Sequence, residues 1–191
     1  MTNNDGSKIN SLIAMLDSPK RKEILPIDKT IAELDINSGS AVIDVGCGIG
    51  YFSLPFSDRV KKVYALDMSE DLLLELKKRA EDKDKSNIEY IKTDGSLNDV
   101  KSLNADYAFI STVLHEVENK DDFINQVKRL IKEDGEICVL EFNKERRQIG
   151  PPACERIGTE ELKELFKKQG LTVFKHFNIS EEIYGIIFIR E

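Results

Sequence analysis

The stretch that most constrains this chain is Val42-Ile43-Asp44-Val45-Gly46-Cys47-Gly48-Ile49-Gly50-Tyr51-Phe52. An apolar run ends near an acid, and glycines follow at alternate positions. The run reads as a buried strand of a parallel sheet. The glycines read as a tight loop, where the backbone can take φ > 0 and a ligand can come close. A loop of this kind at the carboxyl end of the first parallel strand is where open α/β sheets bind nucleotide-like cofactors. Spacing narrows the choice. A dinucleotide fingerprint reads G-x-G-x-x-G/A. Gly46 and Gly48 fit it, but Tyr51 stands at the third small position, and the pattern is G-x-G-x-G ending at Gly50. That argues against a pyrophosphate cradle and leaves an NAD-dependent oxidoreductase as the rival reading.

The rest of the chain alternates. Residues 7–17 carry Ile9, Leu12, Ile13 and Leu16 on one helical face. Pro19 and Pro26 bracket a break before a second helix through Ile27, Ile31 and Leu34. Strands are expected at Ala41–Val45, Val60–Leu66, Ile88–Lys92, Tyr107–Ser111 and Glu136–Phe142, with a turn at Asp134-Gly135 before the last of these. Ser69 is placed to cap a helix through Leu72, Leu73, Leu76 and Ala80, with Glu70 and Asp71 in its first turn. Phe123, Val127, Leu130 and Ile131 mark another helix. Thr159 is read as the cap of a third, which ends at Gly170. Leu171–Phe177 and Tyr184–Arg190 are joined too closely for a parallel crossover and suit an antiparallel hairpin. Strands alternating with helices predict an α/β fold, a mostly parallel sheet with helices on both faces.

Four features fall at successive strand ends: Asp44 with Gly46, then Asp67 with Met68, then Asp94 with Gly95, then Ser111. Asp67 lies about 20 residues beyond the glycine loop, where a carboxylate can accept both hydroxyls of a ribose. With Val-Ile-Asp-Val-Gly-Cys-Gly-Ile-Gly, the chain resembles the class I S-adenosylmethionine (SAM)-dependent methyltransferases, in the broad group of ubiquinone/menaquinone-type enzymes. The resemblance runs from about Pro19 to the end. It implies a Rossmann-like sheet of seven strands closed by an antiparallel hairpin, with SAM as cofactor and S-adenosylhomocysteine as product. It assigns the amino-acid end of SAM to Asp44, Gly46, Cys47, Gly48 and Gly50. Ribose falls to Asp67, adenine to Met68, Asp94 and Gly95, and the sulfonium end to Ser111. It also implies that residues 1–35 form a helical lid on a single compact domain over 36–191.

Methyl transfer from a sulfonium needs alignment more than acid–base chemistry. A base is needed only where the acceptor must lose a proton. The candidates are His115 and Glu116, just after the fourth strand, because an imidazole titrates near neutrality. Arg146, Arg147 and Arg156 are candidate clamps for an anionic acceptor, around a loop stiffened by Gly150-Pro151-Pro152. His176, inside a late strand, reads as structural.

Composition bounds the partners. The net charge is −7 and the basic residues are interspersed with acids, so no stripe fits a phosphate backbone. Nucleic acid is not expected as substrate; a small-molecule acceptor is. No apolar run approaches the roughly 20 residues of a membrane helix, so no membrane insertion is expected. Cys47, Cys138 and Cys154 form no close pair, which suits a reducing compartment, and the polar start suits the cytoplasm. Neither the cysteines nor the two histidines have metal-ligand spacing, and no metal is expected. The third possibility is a SAM-binding protein without catalysis.

Overall fold

The structure is a computed structural model that describes residues 3–145 and 149–191, with side chains described from residue 6 onward. Arg146 and Arg147 lie outside the described residues. The chain opens with three helices: α1 (Asn3–Leu16), α2 (Pro19–Ile24) and α3 (Ile27–Ile31). There follow β1 (Ala41–Val45), α4 (Ser53–Ser57), β2 (Lys62–Asp67), α5 (Glu70–Glu81), β3 (Ile88–Lys92) and β4 (Ala105–Ser111). A single 3-10 turn at Leu114–Glu116 leads to α6 (Lys120–Leu130), β5 (Ile131–Phe142), α7 (Thr159–Lys168), β6 (Leu171–Asn178) and β7 (Ile183–Arg190).

The seven strands lie in the order β3-β2-β1-β4-β5-β7-β6. β1 pairs in parallel with β2 and β4, β2 with β3, and β4 with β5. Only β7 runs against its neighbours, β5 and β6. Side chains alternate across β1, as a pleated strand requires. Val42 joins a core with Phe56 of α4 and Leu76 of α5 on one face. Ile43 and Val45 join Phe123, Ile124 and Val127 of α6 and Phe166 of α7 on the other. The expected mostly parallel sheet, covered on both faces and ended by a hairpin, is therefore present. The order in which strands are added reverses between β1 and β4, which run parallel, so the carboxyl ends of those two strands open onto a crevice. Among the described residues, no helix is long and apolar enough to cross a membrane.

Several local expectations need correction. The proline-bounded break contains α2, because Pro19 sits at the first helical position and Ser18 caps it, accepting from Arg21 N–H at 3.3 Å. β2 starts at Lys62 instead of Val60, whose N–H still donates back to Phe56 O of α4 at 3.0 Å. The turn at Asp134-Gly135 lies within β5. Ile131 already pairs with Ala105, and the register then shifts so that Glu136 pairs with Tyr107. Helix α7 is capped by Gly158, not Thr159, and the Glu161 carboxylate accepts the Gly158 N–H at 3.3 Å.

The N-terminal helices are not alike. Ile24, Leu25, Ile31 and Leu34 are buried in the first core. The Tyr107 hydroxyl donates to Asp35 O at 2.6 Å, and Lys29 Nζ donates to Ile179 O at 2.5 Å. Only α1 lies outside, along α5.

Candidate active site

The glycine loop is tied to the next strand before any ligand is considered. The N–H groups of Gly46 and Cys47 both donate to Leu66 O, at 2.8 and 3.0 Å. Gly48 N–H donates to Asp67 Oδ2 at 2.8 Å, and Ser69 N–H donates to Asp67 Oδ1 at 2.8 Å. Asp67 thus holds the loop to the end of β2, and each of its oxygens keeps a second acceptor position. Ser69 caps α5 as expected, accepting from Leu72 N–H at 3.3 Å. Met68, between them, is exposed. The third strand end is looser: Asp94 and Gly95 are exposed, and Asp94 Oδ1 accepts Ser96 N–H at 2.9 Å.

Asp44 is buried at the end of β1, and its Oδ2 accepts the Ser53 hydroxyl at 2.5 Å. Burial pushes this carboxyl up from 3.8 to about 7, against the lowering effect of the Ser53 bond and of Arg21, while the Asp67 charge adds to the rise. The sign for stability follows. Between these values the native state holds a proton that the unfolded chain has released, so stability falls as pH rises through about 7. Asp44→Asn is expected to flatten that decline, read as urea midpoints across the same pH range. Burial likewise pushes up the Cys47 thiol, so this cysteine is a packed apolar group and not a nucleophile.

Ser111 ends β4 with its Oγ buried and without a hydrogen-bond partner among the described residues. Thr112 follows in the left-handed region at φ 56°, a strained conformation for a β-branched residue, and its N–H donates to Leu140 O at 2.8 Å. That bend turns the chain into the 3-10 turn that carries His115 and Glu116.

His115 meets a partner that was not among the expected site residues. Its Nδ1 lies 2.8 Å from Oε2 of Glu141, a residue fully buried near the end of β5. Glu141 also accepts the backbone N–H of His115 at 3.2 Å and of Phe142 at 3.3 Å. The His115 side chain is 5% exposed, packs edge-on against the Phe142 ring at 5.7 Å, and has its Nε2 3.8 Å from Oε1 of the exposed Glu116. Burial opposes a charge on this imidazole. The Glu141 hydrogen bond and the charges of Glu141, Glu116 and Glu155 outweigh it and raise its pKa above 6.5. One signal could have pointed to Glu141: an acid in the otherwise apolar run Ile137-Cys138-Val139-Leu140-Glu141-Phe142.

Arg156, a candidate anion clamp whose other reading is an exposed loop charge, is neither of these. It is buried and donates to the carbonyls of Pro151 at 2.9 Å, Asn143 at 2.8 Å and Ile149. Its guanidinium also lies over the Phe142 ring at 5.4 Å. It staples the loop beside His115, and its donors are engaged by the protein.

The N-terminal segment closes the other side. Leu16 approaches Gly48, and the Tyr51 hydroxyl donates to Leu25 O at 2.8 Å. Asp17 bridges to Arg79 at 3.1 Å and Lys22 at 3.0 Å, which fixes the end of α1 against α5. Arg21 lies over the Tyr51 ring at 5.4 Å, with its Nε buried and without a hydrogen-bond partner among the described residues. Burial lowers the pKa of this guanidinium, against the opposing charges of Tyr51 and Asp44.

A parallel sheet whose strand order reverses between β1 and β4, a glycine loop at that switch point and an acid at the end of β2 define an α/β protein built to hold a nucleoside-containing cofactor. Comparison with known proteins makes the class specific. The family described as "Methyltransferase domain" matches residues 36–187. A SAM-dependent methyltransferase from Aquifex aeolicus has a crystal structure that superposes with a TM-score of 0.85 at 25% identity, covering 97% of this chain and 98% of that one. The ubiquinone/menaquinone biosynthesis C-methyltransferase UbiE of Pseudomonas entomophila is 29% identical over 124 residues, 63% of this chain and 48% of its own. The Methanococcus maripaludis protein named "Probable cobalt-precorrin-6B C(15)-methyltransferase (decarboxylating)" is 31% identical over 122 residues, 59% of this chain and 61% of its own. The 23S rRNA (uracil(1939)-C(5))-methyltransferase RlmD of Aliivibrio fischeri is 33% identical over 64 residues, 34% of this chain and 15% of its own. The matched stretches therefore span less than two thirds of each of these curated relatives. The chain belongs to the class I SAM-dependent methyltransferase family.

Proposed function

We propose that this chain transfers the methyl group of SAM to a small-molecule acceptor in the crevice between β1 and β4. The observation that carries the reading is the Asp67 carboxylate, anchored to Gly48 and Ser69 at the strand end after the glycine loop. Asp67 takes the ribose hydroxyls, Met68, Asp94 and Gly95 flank the adenine, and Ser111 stands toward the sulfonium. Gly46, Cys47 and Gly48 bound the amino-acid end, with Asp44 and Gly50 shaping the loop from behind. Two buried polar atoms without partners among the described residues, Ser111 Oγ and Arg21 Nε, fit a polar ligand better than an empty apolar cleft. Bound SAM supplies a methyl on a sulfonium whose leaving group is already activated. The protein's part is to align the acceptor, exclude water and accept a proton where one must leave. His115, with Glu116 beside it, takes the last task in this reading. Helix α1 is the lid in this reading, since Leu16 covers the glycine loop and the Asp17–Arg79 bridge holds it down. Three cysteines with no disulfide suit a reducing compartment such as the cytoplasm.

Arg21 is the natural partner of the SAM carboxylate, which yields a selective prediction. Arg21→Gln is expected to weaken S-adenosylhomocysteine binding about 10-fold or more, the worth of one charge-assisted hydrogen bond. It should leave 5′-methylthioadenosine, which lacks the carboxylate, unaffected in the same calorimetric titration.

The acceptor class is tested with methyl-labelled SAM. Label recovered in an extracted small product from a mixed metabolite panel supports the proposal. Label recovered only in added ribosomal RNA contradicts it and favours a nucleic-acid acceptor.

A further inference from the structure

We infer that Glu141 is the positioning residue of a His115 general base, and that the methyl acceptor is an uncharged protic nucleophile, a hydroxyl or a neutral amine, not a carboxylate or phosphate. The inference deepens the methyltransferase reading above and rests on it.

Glu141 accepts two backbone N–H bonds and faces His115 Nδ1, and in this proposal it serves as the acceptor-only carboxylate of the pair. The proton of the neutral imidazole therefore sits on Nδ1, and the lone pair is on Nε2. That is the tautomer a base needs, and the buried anion stabilises the imidazolium formed when a proton arrives. A charged group completely buried in an apolar strand is costly, and packing has no need of it there.

The surroundings select the acceptor. Three carboxylates act on the imidazole: Glu141 from β5, Glu116 from its own turn and Glu155 from the loop before α7. Phe142 covers one side of the ring, and Arg156, packed on that phenylalanine, is committed to three loop carbonyls. The Tyr184 hydroxyl donates to Ile157 O at 2.9 Å. Among the described residues an anionic acceptor would meet like charge, and it would have no proton for His115 to take. For a hydroxyl or amine the step balances. The acceptor atom forms its bond to the methyl carbon as the carbon–sulfur bond breaks toward sulfur. The acceptor's proton passes to His115 Nε2 and from there to water.

The test begins with nitrogen NMR of the imidazoles, which needs no acceptor. The chain has two histidines, so a His176→Gln variant isolates the His115 signals. We expect the Nδ1–H tautomer and titration above that of an ordinary imidazole, with the raised titration lost in Glu141→Gln and largely kept in Glu141→Asp. An Nε2–H tautomer in the unmodified protein would overturn the inference, whether or not the variants fold. Labelled SAM is then offered with phenols, alcohols and amines, and separately with carboxylic acids. Turnover is expected in the first group only. In Glu141→Gln, kcat should fall about 10-fold or more with little change in KM, and the acid limb of the pH profile should move to lower pH. Turnover confined to carboxylic acids, no turnover with the protic panel, or an unmoved pH profile would each count against it. S-adenosylhomocysteine binding is followed in parallel. Its absence in the unmodified protein sinks the methyltransferase reading, while binding with the wrong tautomer sinks only this inference.

Discussion

Replacing Asp67 with alanine is expected to weaken S-adenosylhomocysteine binding by about 100-fold or more, the largest loss of any single site residue. Two effects combine. The ribose loses a charged acceptor, and two backbone donors, Gly48 N–H and Ser69 N–H, lose theirs. An unmatched donor costs about 1–3 kcal/mol where water cannot replace the partner. The glycine loop should therefore loosen as well, and the thermal midpoint should fall with the affinity. Asp67→Asn separates the contributions only in part. Its amide offers one acceptor oxygen in place of two, so at least one of the two N–H groups faces an NH2 group. Calorimetry and thermal melting on the same variants check both halves. Unchanged affinity in Asp67→Ala would remove the ribose assignment.

The second large effect is on stability. Gly50 has φ +81°, and a Cβ at that position would overlap Leu76 Cδ1 and lie 3.1 Å from Cγ. Leu76 is fully buried in α5 against the first core, so it cannot swing aside. Gly50→Ala should cost about 1–2 kcal/mol for the left-handed backbone and a further 1–3 kcal/mol for overpacking. That is a large share of the roughly 5–15 kcal/mol that holds a typical domain together. Gly48→Ala is the control. It shares the left-handed backbone, at φ +53°, but its Cβ would meet only Leu16 Cδ1, at an ordinary 3.5 Å. Urea unfolding should place Gly50→Ala well below Gly48→Ala. Equal midpoints would mean that the last glycine of the motif does not serve to seat α5.

These two glycines also show what was legible in the sequence. The glycine loop, the acid at the end of β2 and the Ser69 cap are local signals, each read within a few residues, and the structure contains all three. The central strands were legible because parallel strands covered on both faces become nearly continuous apolar runs. Ends were less secure. Val60 is buried just before β2, so hydrophobicity alone extends the strand backward. Helix α2 was missed because six residues with one buried position, Ile24, carry little periodicity. The site chemistry was least legible where it depends on distant partners. His115 and Glu141 are 26 residues apart, and only the pairing of β4 with β5 brings them together. Arg156 looked like a ligand clamp because nothing local shows that three loop carbonyls curl back onto it.

The central claim is that the crevice beside Asp67 holds SAM. The most direct measurement is calorimetric titration of the full chain with S-adenosylhomocysteine, with NADH as the parallel ligand. One-to-one binding of S-adenosylhomocysteine, weakened in Asp67→Ala and absent for NADH, is the predicted result. Binding of NADH in preference, or a folded protein that takes up neither ligand and releases no cofactor on denaturation, would contradict it.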